Sequence, residues 1–300
     1  MNPYKFILNN QGSLVGDFNH IISKEKLDTA VNCIIASIYK KKLTHTNQTC
    51  IAIYLDRSTY FILSIFATWK IGGYFVPLNT NWPLERCKKL INHCNADIVI
   101  CSKQGNYHEE NALFIEDVLF DTSTCFDIVE TKSTDLCYII YTSGSTGEPK
   151  GVMINVSSYV TYIEWVKKFF SSYSTNTSLL ITVELSFDMT MQDIAFALAF
   201  GTNIYVAPDP KNVLSIIKAI QTFNISVFHT VPTTHNMLFE FAKKSNAIDL
   251  SSIKLIITAG EPFSCTLVEK VKKVLPKAHF YNIYGPTEFT INCFAIRLDN

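Results

Sequence analysis

From about residue 49 onward, the chain alternates short β-rich runs with apolar helical stretches, and this alternation constrains the fold more than any other feature. The first pair is a β-rich run over Thr49–Leu55 and a helical stretch over Ser58–Ile71, which is closed by two glycines. Strands that alternate with helices favour mainly parallel sheets covered on both faces, and such sheets bind ligands at the carboxyl ends of their strands. The sequence therefore predicts an α/β fold.

The same alternation continues to the end of the chain. Further strands are expected over Tyr74–Leu78, Asp97–Cys101, Leu136–Tyr141, Leu179–Val183, Asn203–Val206, Ser226–Thr230, Lys254–Ile257 and His279–Ile283. Further helices are expected over Pro83–Cys94, Ser157–Phe170, Met191–Phe200, Val213–Phe223, His235–Lys244 and Ser264–Val274. Residues 102–133 are polar and carry no assignment. A Ser/Thr/Asn-rich stretch at 171–177 predicts a boundary between two α/β units, 1–170 and 171–300, with the extreme N-terminus free to pack on the second.

Composition and charge argue against several classes of protein. Lys and Arg total 26, as do Asp and Glu, so no basic face for nucleic acid is expected. The N-terminus has no signal-peptide pattern, and apolar runs such as Ile194–Phe200 are far too short to cross a membrane. The nine cysteines form no CxxC pair or zinc-like cluster with histidine, which indicates reduced thiols in a cytoplasmic protein without a zinc site.

The segment that follows the predicted strand Leu136–Tyr141 is rich in glycine and hydroxyl groups. Its sequence is TSGSTGEPKG, from Thr142 to Gly151. Glycines let the backbone approach a ligand closely, and hydroxyls with backbone N–H groups donate to phosphate oxygens. Lys150 adds a positive charge, although its place between Pro149 and Gly151 differs from the GxxxxGK[ST] loop. The segment therefore predicts a phosphate loop, and a plain turn between strand and helix is the alternative.

Taken over its full length, this run resembles the signature of the adenylate-forming superfamily, which includes acyl-CoA and aryl-CoA synthetases, luciferases and the adenylation domains of nonribosomal peptide synthetases. A second match is the sequence NIYGPTE over Asn282–Glu288, and Thr258–Pro262 resembles the loop that flanks the adenine. The segment from Trp69 to Arg86 resembles the family's early structural motif, with Asn79-Thr80 where Asp-Pro is usual. We interpret that segment as packing and turn chemistry.

The resemblance implies ATP and Mg²⁺ as cofactors and assigns residues to them. The implied nucleotide-binding residues are Thr142, Ser143, Gly144, Ser145, Thr146, Gly147, Lys150, Gly260, Glu261, Asn282, Tyr284, Gly285 and Thr287. Among these, Tyr284 is expected to stack on adenine, Asn282 to bond its amino edge and Thr287 to contact the α-phosphate. Glu288 is expected to bind magnesium. The implied catalytic residues are Thr287, Glu288 and Lys150.

A further segment, Phe187-Asp188-Met189-Thr190, resembles the FDxS segment of members that activate amino acids, in which the Asp pairs with the substrate ammonium. A role of Asp188 as cap of the following helix is the less favoured alternative, and the two roles are compatible. Carrying over the side-chain pocket gives Met189, Gln192, His229, Ile257, Ala259, Ile283, Ile291 and Asn292. His229 is either a satisfied core residue or a determinant of specificity, and the identity of the amino acid does not follow.

The resemblance covers about residue 20 to residue 300 and implies two flavodoxin-like α/β subdomains, the N-terminal core of an adenylate-forming enzyme. The implied reaction activates an amino acid as an aminoacyl-AMP, releases pyrophosphate and serves a phosphopantetheinylated carrier protein. The alternatives are an acyl- or aryl-CoA ligase and a non-catalytic nucleotide-binding remnant. The family's β-rich subdomain and lysine-bearing C-terminal domain have no counterpart in these 300 residues, so the chain is expected to be incomplete and weakly active alone.

Overall fold

Two β-sheets with helices between and outside them make up the chain in a computed structural model. The structure describes residues 1–9, 14–41, 48–120, 124–143, 149–173, 177–244 and 248–299. Within these ranges the strands form a six-stranded and an eight-stranded sheet. The α/β fold class with mainly parallel sheets is confirmed, since the antiparallel pairs among the described strands lie at sheet edges.

The six-stranded sheet has the strand order β6-β5-β3-β4-β7-β8. Its strands are β3 (Cys50–Tyr54), β4 (Tyr74–Pro77), β5 (Ile98–Cys101), β6 (Ala112–Phe114), β7 (Leu136–Ser143) and β8 (Pro149–Asn155). The described helices are α1 (Tyr4–Asn9), α2 (Lys24–Lys40), α3 (Thr59–Lys70), α4 (Leu84–His93), α5 (Val156–Phe169), α6 (Met189–Phe200), α7 (Val213–Thr222), α8 (Pro232–Lys244) and α9 (Cys265–Val274). None of these helices is long and apolar enough to span a membrane.

The eight-stranded sheet combines strands from both ends of the chain, in the order β14-β13-β12-β11-β9-β10-β1-β2. Its strands are β1 (Val15–Gly16), β2 (Ile21–Ile22), β9 (Ser178–Ile181), β10 (Asn203–Val206), β11 (Val227–Thr230), β12 (Leu255–Thr258), β13 (His279–Tyr284) and β14 (Phe294–Arg297). The N-terminal strand β1 runs parallel to β10, with Val15 opposite Ile204. The division of the chain at residue 170 into two domains stays a prediction.

One apolar core lies between the two sheets. It combines side chains from one face of each sheet, such as Ile51 and Ile257, with side chains of the helices α2, α3, α5 and α6. The outer face of the six-stranded sheet packs against α4, and the outer face of the eight-stranded sheet packs against α7, α8 and α9. The shared middle core holds the two sheets together and places their strand ends side by side.

Several elements were not predicted from the sequence. The helix α2 buries Leu27, Val31, Ile34 and Ile38, which follow the spacing of one helix face, so its signal was present in the sequence. The unassigned region contains β6 and a short 3-10 helix at Ile115–Asp117. The end of the glycine-rich run belongs to a strand, β8, which pairs antiparallel with β7 before α5 begins. The elements that were predicted are present, with ends shifted by a few residues.

Candidate active site

A cavity of about 890 Å³ opens where the carboxyl ends of β7, β12 and β13 meet the first turn of α6. The predicted site residues on its wall are Thr142, Asp188, Met189, Gln192, Ala259, Gly260, Glu261, Asn282, Ile283, Tyr284, Gly285, Thr287, Ile291 and Asn292. Strand ends from both sheets therefore contribute to one cavity, as expected for ligand sites in parallel sheets. The cavity brings the predicted nucleotide and acid positions together.

Other predicted residues lie off this wall. His229 and Ile257 are buried in β11 and β12, behind the cavity. Lys150 is exposed on β8, opposite Thr142, and Glu288 is exposed in the short 3-10 helix Thr287–Phe289. Gly144, Ser145, Thr146 and Gly147 lie outside the described residues, as does the side chain of Ser143. The roles predicted for all of these residues stay predictions.

The turn between β13 and β14 needs glycine at position 285. A Cβ there would lie 2.3 Å from the Cα of Asn292 and 2.8 Å from the backbone nitrogen of Cys293, which are backbone atoms that cannot simply move aside. The same turn holds Thr290 and Ile291 at positive φ values of 59° and 81°. A β-branched residue in this region is strained, so the surrounding packing must hold Ile291 against the cavity.

Tyr284 ends β13 with its ring at the edge of the cavity. The side chain is 67% exposed, so one face of the ring is open to a planar ligand. Gly260 lies near this region, just after the end of β12. Its φ of 82° is a backbone conformation that residues with a side chain rarely adopt. A Cβ there would lie 3.1 Å from the Sδ of Met189, so glycine lets the β12 loop approach the first turn of α6 closely. The open face of the Tyr284 ring is suited to stack on a flat heterocycle.

Asp188 precedes α6 and lies on the cavity wall. It occupies the N-cap position, but its side chain makes no capping hydrogen bond. Burial raises the pKa of the Asp188 carboxyl, and the neighbouring Glu288 raises it further, whereas a hydrogen bond from the Thr287 hydroxyl opposes both effects. An ionised carboxylate that is largely removed from water favours a cationic partner. This environment is suited to an ammonium group.

The cavity wall near Asp188 also carries a buried amide, that of Gln192. Gln192 is 2% exposed, and neither its nitrogen nor its oxygen has a hydrogen-bond partner in the described part of the chain. Behind the pocket, Nδ1 of His229 lies 2.7 Å from Oδ1 of Asp193, and burial raises the pKa of that carboxyl. An unpaired buried amide costs about 1–3 kcal/mol, so Gln192 is available to a polar group of the ligand.

Two wall residues, Trp82 and Arg86, were not predicted as site residues. The Arg86 guanidinium lies 4.3 Å from the centroid of the Trp82 ring, and both line the cavity. Their segment was interpreted as packing and turn chemistry. The four-residue spacing across the start of α4 was the available signal, because it places an aromatic ring and a cation on one side of the chain.

The described residues contain no cluster of three or more His, Cys, Asp or Glu side chains that could hold a metal ion. Glu288 offers a single exposed carboxylate beside the partly buried Asp188. Mg²⁺ in nucleotide sites is commonly held by one or two carboxylates, with phosphate oxygens and water completing its coordination. Glu288 therefore fits the magnesium role predicted for it, which stays a prediction.

Comparison with known proteins identifies the family of the chain that forms this cavity. The profile of the AMP-binding enzyme family matches residues 13–300. The chain belongs to this family. The resemblance to adenylate-forming enzymes that was stated from the sequence motifs is thereby confirmed.

Curated relatives of this chain include several synthases. Zwittermicin A synthase ZmaJ of Bacillus cereus is 28% identical over 259 residues, which cover 83% of this chain and 49% of that protein. Tyrocidine synthase 3 of Brevibacillus parabrevis is 26% identical over 90% of this chain and 4% of its own length. Bacitracin synthase 3 of Bacillus licheniformis is 29% identical over 80% of this chain and 4% of its own length. The chain thus spans half or less of each of these relatives.

Solved structures show the same fold. The nonribosomal peptide synthetase FmoA3 (S1046A) superposes with a TM-score of 0.90 at 17% identity, over 100% of this chain and 33% of that one. The N-terminal subdomain of Klebsiella oxytoca NpsA, in complex with 3-hydroxyanthranilyl-AMSN, superposes with a TM-score of 0.83 at 17% identity over 99% of this chain and 76% of that one. This AMP-binding enzyme therefore has the fold of an adenylation-domain N-terminal subdomain.

Proposed function

We propose that this AMP-binding enzyme activates the carboxylate of an amino acid with ATP, forming an aminoacyl-AMP and pyrophosphate, and that a carrier-protein thiol accepts the aminoacyl group. One observation carries the proposal: the partly buried carboxylate of Asp188 shares a cavity wall with Asn282, Tyr284 and Thr287. A subsite for a cation and a subsite for adenine in the same cavity would fit two ligands. One is a substrate with an ammonium group, and the other is a nucleotide.

The wall residues divide between the two ligands. The exposed Tyr284 ring would stack on adenine, and the amide of Asn282 would bond the amino edge of the base. Asp188 would hold the substrate ammonium at the mouth of the apolar pocket, with Gln192 facing the substrate side chain. Both reactants would then be held close together, which supplies much of the rate of such a transfer.

Thr287 links the two ligands. Its hydroxyl donates to Asp188, and a hydroxyl has one proton to donate. The Asp188 carboxylate has several acceptor sites, so it could hold an ammonium group while the Thr287 hydroxyl donates to an α-phosphate oxygen and stabilises the charge that develops there. Mg²⁺, when bound at Glu288, would neutralise phosphate charge.

Calorimetric titration with amino acids and with ATP tests the role of Asp188. Asp188→Asn keeps the side-chain volume but removes the charge, so it should weaken binding of the preferred amino acid by about 2–5 kcal/mol and leave ATP affinity nearly unchanged. Glu164→Gln is the matched control, since it neutralises an exposed carboxylate on α5 that does not line the cavity. Equal losses for both ligands would contradict amine recognition.

A pyrophosphate-exchange assay separates the proposed function from its alternatives. Amino acids should stimulate exchange more than fatty or aryl acids do, because only the amino acids offer Asp188 a cationic partner. Stimulation by fatty or aryl acids alone would support an acyl- or aryl-CoA ligase. ATP binding without exchange for any acid would support a non-catalytic nucleotide-binding protein.

A further inference from the structure

The charge balance of the cavity wall is unfavourable for a nucleotide. Among the described wall residues, the charged side chains are Arg86, Asp188 and Glu261. Glu261 lies beside the predicted adenine position, where its carboxylate accepts hydrogen bonds from the backbone nitrogen and the hydroxyl of Thr233, at 3.0 and 2.6 Å. Two carboxylates repel a polyphosphate, and a cavity partly closed to water screens that repulsion poorly. The cation on this wall therefore has a large effect on ATP binding.

Arg86 is oriented by an aromatic ring. Its guanidinium stacks over Trp82 at 4.3 Å, and Trp82 is itself half-buried in the wall. In the described part of the chain no carboxylate forms an ion pair with Arg86, and its side chain is exposed. Stacking holds the planar group in place while its in-plane N–H donors remain available, which is the arrangement that binds phosphate with two parallel hydrogen bonds.

The helix that carries Arg86 is fixed to the strand that leads into the glycine-rich segment. His93, the last residue of α4, has Nδ1 2.6 Å from the hydroxyl of Tyr141 in β7. Tyr141 lines the cavity and directly precedes Thr142. The buried side of α4, which includes Cys87 and Leu90, packs on the six-stranded sheet. Arg86 is therefore held on the cavity side, next to the end of β7.

Lys150 is less well placed for the same task. It lies on β8 opposite Thr142, is exposed and does not line the cavity. Its flexible ammonium group would have to leave solvent and bend toward the wall to reach a phosphate there. Arg86 already lies on the wall with its orientation set by Trp82, so less side-chain freedom is lost when it binds an anion.

We infer that Arg86, oriented by Trp82, binds the β- and γ-phosphates of ATP, the part that leaves as pyrophosphate. In the reaction, a carboxylate oxygen bonds to the α-phosphorus while the bond from that phosphorus to the β-bridging oxygen breaks, and the electron pair leaves with pyrophosphate. The Arg86 guanidinium would offset the charge that grows on this leaving group. The inference rests on the proposed function for its nucleotide and adds a residue that the sequence motifs did not assign.

Calorimetric titrations of ATP, AMP and pyrophosphate into the 300-residue chain test this inference. Arg86→Gln should weaken ATP and pyrophosphate binding by roughly 10- to 100-fold, the range for loss of a charge-assisted contact, and AMP binding by less than about 2-fold. Trp82→Leu, which keeps the cation but removes the ring, should weaken ATP binding by a smaller factor. Lys88→Gln is the control, because Lys88 lies on the same helix but pairs with Glu109 at 2.6 Å, away from the cavity.

The outcomes separate the inference from the proposed function. Equal losses for ATP and AMP, no loss in Arg86→Gln, or the same loss in Lys88→Gln would each overturn the inference, while wild-type binding of ATP and an amino acid would leave the proposed function intact. Failure of the wild-type chain to bind any nucleotide would overturn both. Thermal unfolding checks each variant, and Arg86→Lys, which should retain part of the ATP affinity, replaces Arg86→Gln if that variant unfolds.

Discussion

His235 shows how far burial can change the chemistry of one side chain in this protein. It lies in α8 with no solvent exposure, stacks on Phe239 and has Nε2 3.0 Å from the carbonyl oxygen of Ile257. Burial lowers its pKa from 6.5 to about 3, although the hydrogen bond to Ile257 opposes the change. Since the unfolded chain takes up this proton at a higher pH than the folded chain does, His235 makes the protein less stable as pH falls from about 6.5 toward 3.

We expect His235→Gln to reduce the loss of stability in acid, because Gln does not titrate and its amide can still donate to the Ile257 carbonyl. Between pH 7 and pH 5, the wild type should lose about 2 kcal/mol of unfolding free energy relative to this variant, measured by urea denaturation. His108→Gln is the control, since His108 is exposed in the folded chain. An identical pH dependence in wild type and His235→Gln would show that His235 is accessible to protons in the folded state.

At the scale of an element, the hairpin of β13 and β14 carries a large share of the candidate site. It presents Asn282 and Tyr284 from the strand, Thr287 from the short 3-10 helix, and Ile291 and Asn292 from the return of the turn. The turn depends on the absence of a side chain at position 285 and on the left-handed backbone at positions 290 and 291. The placement of the proposed adenine, phosphate and side-chain subsites is therefore coupled through one turn.

Gly285→Ala should displace this turn, because its Cβ would meet backbone atoms of residues 292 and 293 at 2.3 and 2.8 Å. We expect a loss of about 1–3 kcal/mol in unfolding free energy and a clear loss of ATP affinity. Thermal unfolding and nucleotide titration measure the two effects. In the control Gly105→Ala, the new Cβ would approach only the Ser102 carbonyl oxygen, at 3.2 Å. Wild-type ATP binding by Gly285→Ala would show that the turn is not what positions these residues.

At the scale of the whole molecule, Arg57 connects the two sheets. It follows β3 of the six-stranded sheet, and its guanidinium donates to the carbonyl oxygens of Ile181 and Ala207, both at 2.7 Å, and to that of Val183. These carbonyls lie at the ends of β9 and β10 in the eight-stranded sheet or just beyond them. Burial lowers the pKa of Arg57 to about 10, so it remains charged at neutral pH. The side chain therefore ties the end of β3 to the ends of β9 and β10.

Arg57→Lys should destabilise the chain by about 2–4 kcal/mol, because one ammonium group cannot reproduce a planar fork that reaches carbonyls of two strands. Circular dichroism during urea unfolding measures the change, and amino acid affinity should fall with it if the sheets shift. Lys211→Ala, which removes an exposed cation nearby, should have little effect. Unchanged stability in Arg57→Lys would mean that the shared apolar core alone holds the sheets together.

Periodicity and turn chemistry are local properties of a chain, so they were enough to predict the α/β class, most of the strands and helices, and the loops that end at the cavity. The residues Asn282, Tyr284 and Thr287 lie close to one another in the chain, so it could also be predicted that they contribute to the same site. Trp82 and Arg86 line the same cavity because α4 is packed beside β7. That packing could not be predicted from the segment that contains the two residues.

Contacts between distant parts of the chain determine the features of the fold and of the site that could not be predicted from the sequence. His229 lies behind the cavity because β11 is inside the eight-stranded sheet, with strands on both sides of it. The addition of β1 to that sheet and the three bonds of Arg57 join residues more than a hundred positions apart. Such placements result from the order of the strands and the packing of the shared core, which no local pattern encodes, so they became visible only in the folded molecule.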